Sequence, residues 1–184
     1  MILSEEKHEL DGKEVVLRSA TKEDAQTLID YLKTVSGETR YLLCYPDEIE
    51  YPMEQEYDFI KSRNEAEDGM LVLAFVDGRY AGNCSFQAQG PGRRAKHRAD
   101  IGIALFQEFT GFGLGRLMLE RIISEIKKMG FEQAELTVVS ENEIAIHLYK
   151  SLGFTECGRI PRANRYDDGT YSDDIHMVLS IKGA

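Results

Sequence analysis

Residues 110–122 read TGFGLGRLMLERI, with glycine at every second position, Gly111, Gly113 and Gly115, and an amphipathic pattern starting immediately behind them. Glycine weakens a helix and packs nothing, so its repetition at a helix start marks a place where bare backbone is needed. A helix is expected from Gly115 to Met129. Leu114, Met118, Ile122 and Ile126 recur every four residues, with Leu117 and Ile123 widening the apolar stripe. Lys127 and Lys128 suit its negative end, and Gly130 stands where a left-handed stop belongs.

Working outward, Val15–Ala20 forms a short β-branched strand. Thr21, with Asp24 three residues on, caps a helix to about Lys33. Thr39–Met53 is irregular and tyrosine-rich, and a second helix follows over about Glu54–Glu67. Met70–Val76 and Arg79–Gln89 flank Asp77-Gly78, a two-residue hairpin signal. Arg98–Phe106 makes a third meander strand after the basic, flexible loop Gly90-Pro91-Gly92-Arg93-Arg94-Ala95-Lys96-His97-Arg98. After the glycine helix come a strand, Ala134–Ser140, and a helix to Leu152 opened by a capping box at Ser140-Glu141-Asn142-Glu143. A hairpin, Phe154–Tyr166 and Thr170–Ile181, turns at Asp168-Gly169. The order β-α-α-β-β-β-α-β-α-β-β gives an α/β (α+β) fold, with a mixed sheet of about seven strands flanked by about four helices.

Bare backbone ahead of a helix N-terminus is a phosphate-binding device, because the first-turn N–H groups are free and the helix dipole favours an anion. The dinucleotide fingerprint fails, since its third glycine falls on Arg116, and no Walker-type G-x-x-x-x-G-K-[ST] occurs. The segment resembles motif A of the GNAT superfamily of N-acetyltransferases, Gln/Arg-x-x-Gly-x-Gly/Ala. Here it is Thr110-Gly111-Phe112-Gly113-Leu114-Gly115, with Thr110 in place of Gln or Arg. The following LTVVSENEIAIHLYKSLGF also resembles the family, with Asn142, Tyr149 seven residues later, and Leu152-Gly153-Phe154. Seven residues are about two helical turns, so Asn142, Ala145 and Tyr149 share one face.

The resemblance covers nearly all 184 residues as a single domain, 1–184. It implies acetyl-CoA as cosubstrate, its pyrophosphate on the amides of residues 110–115, with Arg116 nearby and Asn142 and Ala145 as further contacts. Backbone amides of Ile103, Ala104 and Leu105 would take the acetyl carbonyl. It implies direct transfer to a primary amine of a small molecule or peptide, without an acyl-enzyme, and leaves a homodimer open. Tyr149 is the candidate general acid, since a phenol with an ordinary pKa of about 10 can donate to a thiolate at neutral pH. Its alternative is a helix-packing aromatic. Asp100, in HRADIGIALF where relatives often carry Glu, is the candidate base, or else an exposed strand-start carboxylate. His97 and His176 have no partner spacing that suggests a dyad. A catalytically silent acyl-CoA-binding or sensing module on the same fold is the rival.

Composition bounds the rest. With 42% hydrophobic and 29% charged residues the chain can bury a core, and it shows no membrane-length apolar run and no signal peptide. Net charge −10 argues against a nucleic-acid partner. Cys44, Cys84 and Cys157 lack metal-ligand spacing, so no metal site is expected and a reducing cytoplasm is. In YLLCYPDEIEYPMEQEYD, Asp47, Glu48, Glu50, Glu54, Glu56 and Asp58 alternate with Tyr41, Tyr45, Tyr51 and Tyr57. That would suit a cationic acceptor, or be a solvated surface.

Overall fold

The structure, a computed structural model, describes residues 1–90 and 92–182. Pro91 of the basic loop and the last two positions of the expected 1–184 domain lie outside them. The strands are β1 (Glu6–Leu10), β2 (Lys13–Arg18), β3 (Gly69–Val76), β4 (Arg79–Ala88), β5 (Arg98–Leu105), β6 (Gln133–Val139), β7 (Thr155–Arg165) and β8 (Tyr171–Ser180). The helices are α1 (Ala25–Glu38), α2 (Met53–Glu65), α3 (Leu114–Lys128) and α4 (Glu143–Ser151). The strands hydrogen-bond in the order β1-β2-β3-β4-β5-β6-β8-β7. All strand pairs with a recorded register are antiparallel except β5 with β6.

The sheet therefore has eight strands where about seven are expected. The additional strand is β1, which pairs with β2 from Glu6↔Leu17 to Leu10↔Lys13. Its residues EKHEL are too polar to register as a strand by hydrophobicity. The link Asp11-Gly12, with φ of +52° and +74°, is nonetheless the same positive-φ pair as Asp77-Gly78, at +48° and +77°.

Two compact units emerge from the contacts: Met1–Gln87 with Gly102–Ile122, and Ala88–Ile101 with Ile123 onward. The first holds β1–β4, α1, α2 and the glycine segment. Thr21 and Asp24 do cap the first helical turn, whose Lys22–Asp24 portion is a 3-10 turn before α1. The Asp24 carboxylate accepts from the Thr21 N–H at 2.7 Å and takes the Arg18 guanidinium side-on, at 2.7 and 2.8 Å. Burial works against that charge, but these hydrogen bonds outweigh it and hold Asp24 below the usual carboxylate range. Leu28 and Ile60 meet Leu71 and Leu73 of β3 in a core, with Met53, Tyr57, Phe75 and Tyr80 packed against it.

The second unit pairs β8 with β6 and β7, and carries α4 and the end of α3. Both of its helix ends close in the Schellman pattern. The Phe131 N–H reaches the Ile126 carbonyl and the Gly130 N–H that of Lys127. The Phe154 N–H likewise reaches Tyr149 and the Gly153 N–H Lys150. Gly130 and Gly153 sit at φ +81° and +95°, which is why glycine stops each helix. At the last hairpin only Gly169 has positive φ, so the turn is a type I turn with a bulge rather than a two-residue link.

On α3, Leu114, Met118, Ile122 and Ile126 are buried as the four-residue repeat requires, and Leu119 with Ile123 widens the stripe. Leu117, expected there, is only partly buried. Among the described residues no helix is long and apolar enough to cross a membrane.

Candidate active site

In the first unit, Gly111 and Gly113 adopt φ of +89° and +99°, and a Cβ added at either would meet no atom within 4 Å. The two glycines are required by backbone conformation and stand beside open space, not beside a packed neighbour. The first rung of α3 runs from the Leu117 N–H to the Gly113 carbonyl at 3.0 Å. The N–H groups of Leu114, Gly115 and Arg116 precede it and lie outside the helix's own ladder. Exposed positive-φ backbone, the first-turn amides of Leu114 and Gly115 and the positive helix end together fit a diphosphate.

Side chains around the turn are differently placed. Thr110 donates its hydroxyl to the Gln107 carbonyl at 2.8 Å, closing the 3-10 turn Gln107–Phe109. Arg116 reaches Glu120 at 3.4 Å along the helix surface. Phe112 carries the Lys13 ammonium 4.5 Å from its ring centroid, a contact between two segments that the sequence gives no reason to join.

Strand β5 leads into this turn. The Arg98 carbonyl accepts from the Gln89 N–H and the Phe106 N–H donates to the Ala81 carbonyl, so even-numbered residues turn their backbone groups toward β4. Odd-numbered ones turn theirs to the other edge. That edge is paired with β6 only over Arg98–Asp100, although β5 runs on to Leu105. The N–H groups of Ile103 and Leu105 therefore face an edge with no strand register recorded among the described residues. The Ala104 carbonyl instead accepts from the buried Tyr31 hydroxyl at 2.7 Å. Of the three amides expected to hold an acetyl carbonyl, this geometry favours those of Ile103 and Leu105 over that of Ala104.

The second unit holds Asp100, Asn142, Ala145 and Tyr149. Asp100 is half-buried, and burial, with Glu135 paired opposite it in the register, pushes its carboxyl above the usual range. It is thus not the solvated strand-start carboxylate of the alternative. Asn142, not Ser140, caps α4: its side-chain oxygen accepts from the Ala145 N–H at 3.2 Å. The expected capping box at Ser140 does not form, since the Ser140 N–H is bonded to the Asp173 carbonyl. Tyr149 is buried, its ring 6.0 Å from that of Phe154, so it packs the helix whatever else it does. Arg98, at the end of the basic loop, is paired with Glu135, while the loop itself is knit by turn hydrogen bonds to the Gly92 carbonyl. His176 touches Thr137.

The acidic tyrosine-rich segment resolves unevenly. Glu48 accepts from the Tyr45 N–H at 2.8 Å as a local cap, and Asp47, Glu50, Glu54 and Asp58 are exposed. Glu56 alone is turned inward. It shares the α2 face of Met53, Tyr57 and Ile60, and burial raises its pKa. Chiefly burial, and then the nearby carboxylates of Asp24 and Glu56, push the Tyr80 phenol well above the ordinary tyrosine value. Helical spacing would have singled Glu56 out, as a charge on an apolar stripe. Nothing in the sequence points to Tyr31 or Lys13.

Comparison with known proteins agrees with this picture. The Acetyltransferase (GNAT) family model matches residues 25–154. The ribosomal protein bS18-alanine N-acetyltransferase of Escherichia coli (strain K12) is 44% identical over 81 residues, covering 43% of this chain and 53% of that relative. The L-amino acid N-acyltransferase MnaT of the same organism is 30% identical over 86 residues, 47% of this chain and 49% of its own. The matches thus span about half the length of these curated relatives. A crystal structure of a GNAT-family acetyltransferase from Streptococcus pneumoniae superimposes with a TM-score of 0.84 at 29% identity, covering 90% of this chain and 99% of that one. With the family model spanning more than half of its residues and the glycine turn built as described, this chain belongs to the GNAT family of acetyltransferases.

Proposed function

We propose that this chain moves an acetyl group from acetyl-CoA to an amine by direct attack, with no acyl-enzyme. The observation that carries the reading is the turn at Gly111 and Gly113, whose open, positive-φ backbone precedes the first-turn amides of Leu114 and Gly115. Those amides bind the pyrophosphate, and the Ile103 and Leu105 N–H groups take the acetyl oxygen as negative charge develops on it. When bound, the cosubstrate supplies an acetyl group activated as a thioester. Asp100, its carboxyl raised above the usual range by burial and by Glu135, accepts the proton that the amine loses. Tyr149 delivers a proton to the departing thiolate, and Asn142, accepting from the Ala145 N–H, caps the opposite end of the helix that carries it.

The acceptor is an amine of a peptide or small molecule, and the curated relatives are named for acceptors of both kinds. We favour a cationic acceptor, on the strength of the inward-facing Glu56 among Tyr57 and Tyr80 and the −10 net charge of the chain. Three free thiols, Cys44, Cys84 and Cys157, support a reducing compartment.

The test is thiol release from acetyl-CoA with a panel of cationic, neutral and acidic amines, alongside an N-terminal peptide set. Turnover with any amine supports an enzyme. Tight CoA binding with no turnover across the panel would leave a binding module.

A further inference from the structure

We infer that Lys13, carried by the β1–β2 hairpin, is a phosphate ligand of the glycine turn and supplies the side-chain cation that Thr110 does not. The inference rests on the turn being the cosubstrate's pyrophosphate site. Thr110 is neutral, and its hydroxyl is engaged with the Gln107 carbonyl. Two other cations of the same unit are drawn to acids: Arg79 lies 2.6 Å from Glu108 and Arg116 3.4 Å from Glu120. Among the described residues Lys13 has no carboxylate partner, in a chain with 32 acidic residues to 22 basic ones. Its ammonium instead rests over Phe112, the residue between the two open glycines.

The hairpin is built to hold it there. Alternation places Lys13 on the same strand face as Val15 and Leu17, both fully buried, so an apolar residue would be the ordinary occupant. Glu6, directly opposite Leu17 on that face, grips Arg121 of α3 through two hydrogen bonds, at 2.8 and 3.0 Å. Two turns of helix separate Arg121 from Leu114, so this bidentate clamp fixes the hairpin relative to the helix whose first turn is the cradle. A cation held on the ring of Phe112, between the two open glycines and with no carboxylate partner among the described residues, suits a dianionic diphosphate.

Titration calorimetry with CoA on the folded apo protein tests this, using Lys13→Gln, Lys13→Arg and Gly113→Val at about 20 mM and about 300 mM ionic strength. Lys13→Gln should weaken CoA by about tenfold at low salt, as loss of one charge-assisted contact predicts, with the difference shrinking at high salt. Lys13→Arg should stay within about twofold, and dephospho-CoA should show the same Lys13→Gln loss because it keeps the pyrophosphate. Wild-type affinity in Lys13→Gln, while Gly113→Val loses CoA, would overturn the inference and leave the cradle standing. Unchanged affinity in Gly113→Val would overturn the cradle itself. A Lys13→Gln loss that vanishes with dephospho-CoA would move the contact to the ribose phosphate and overturn the assignment. An equal loss in Lys13→Arg, with a lowered apo Tm, would mean that Lys13 only props the hairpin.

Discussion

The hydroxyl of Tyr31, on α1, donates to the carbonyl of Ala104, on β5, at 2.7 Å. Tyr31 is 4% exposed, and Phe106 and Tyr80 meet its ring edge-on at 4.9 and 5.1 Å. Burial pushes its phenol well above the ordinary tyrosine value, so it stays a donor at any working pH. The bond ties down a strand end whose neighbouring amides, Ile103 and Leu105, are proposed to face the acetyl group. Gly82, at φ +144°, lets β4 approach the same place, since a Cβ there would lie 2.8 Å from the Leu105 Cα.

Tyr31→Phe keeps the aromatic packing and removes the donor. Urea denaturation should show a loss of about 1–2 kcal/mol, the cost of a partly buried acceptor deprived of a partner. If the strand end is positioned by this bond, kcat should also fall while the Kd of CoA stays near wild type. A variant unchanged in both stability and kcat would show that the bond orients nothing.

Tyr149→Phe separates packing from proton donation. The ring near Phe154 is retained, so Tm should move little and CoA should bind as before. Turnover should drop by about 10²–10⁴-fold, the range for a positioned acid or base. The loss should soften with an acyl donor whose thiol is more acidic, because that thiolate needs a proton less. Wild-type kcat, with chemistry rate-limiting, would leave Tyr149 as a packing residue.

Asp100 gives a pH signature in stability. Its folded pKa lies above the unfolded value of about 3.9, because burial and Glu135 disfavour the charge. The folded state then binds more protons across that window, so this group's contribution to stability falls as pH rises through it. Asp100→Asn should therefore raise Tm at pH 7 and lose that advantage below the unfolded pKa, while turnover collapses. A Tm difference independent of pH would place the effect elsewhere.

Glu56→Gln tests the acceptor side. The substitution preserves size on the α2 face and removes a half-buried charge. KM for cationic amines should rise several-fold, more at low than at high salt, while KM for neutral amines holds. Equal changes for both classes would make Glu56 a structural residue of α2.

Much of this molecule is legible in local sequence because the deciding forces are local. Gly111 and Gly113 announce positive φ at a helix start, Gly130 and Gly153 announce helix stops, and Asp77-Gly78 announces a hairpin. Each follows from the sterics of one or two residues. The Leu114–Ile126 stripe follows from a period of 3.6. Asp11-Gly12 carried the same hairpin signal, but the polar strand EKHEL beside it has no hydrophobic alternation to support it.

Only the tertiary structure decided which distant residues meet. Lys13 reaches Phe112 across 99 positions because a hairpin, a sheet register and the Glu6–Arg121 clamp act together. Tyr31 reaches Ala104 across 73 positions because α1 packs where β5 ends. Asp100 has its pKa raised by burial and by a carboxylate on a neighbouring strand. Sequence determines the backbone conformations that individual residues permit. Burial, register and electrostatic environment belong to the assembled chain, because they depend on which segments exclude water from one another.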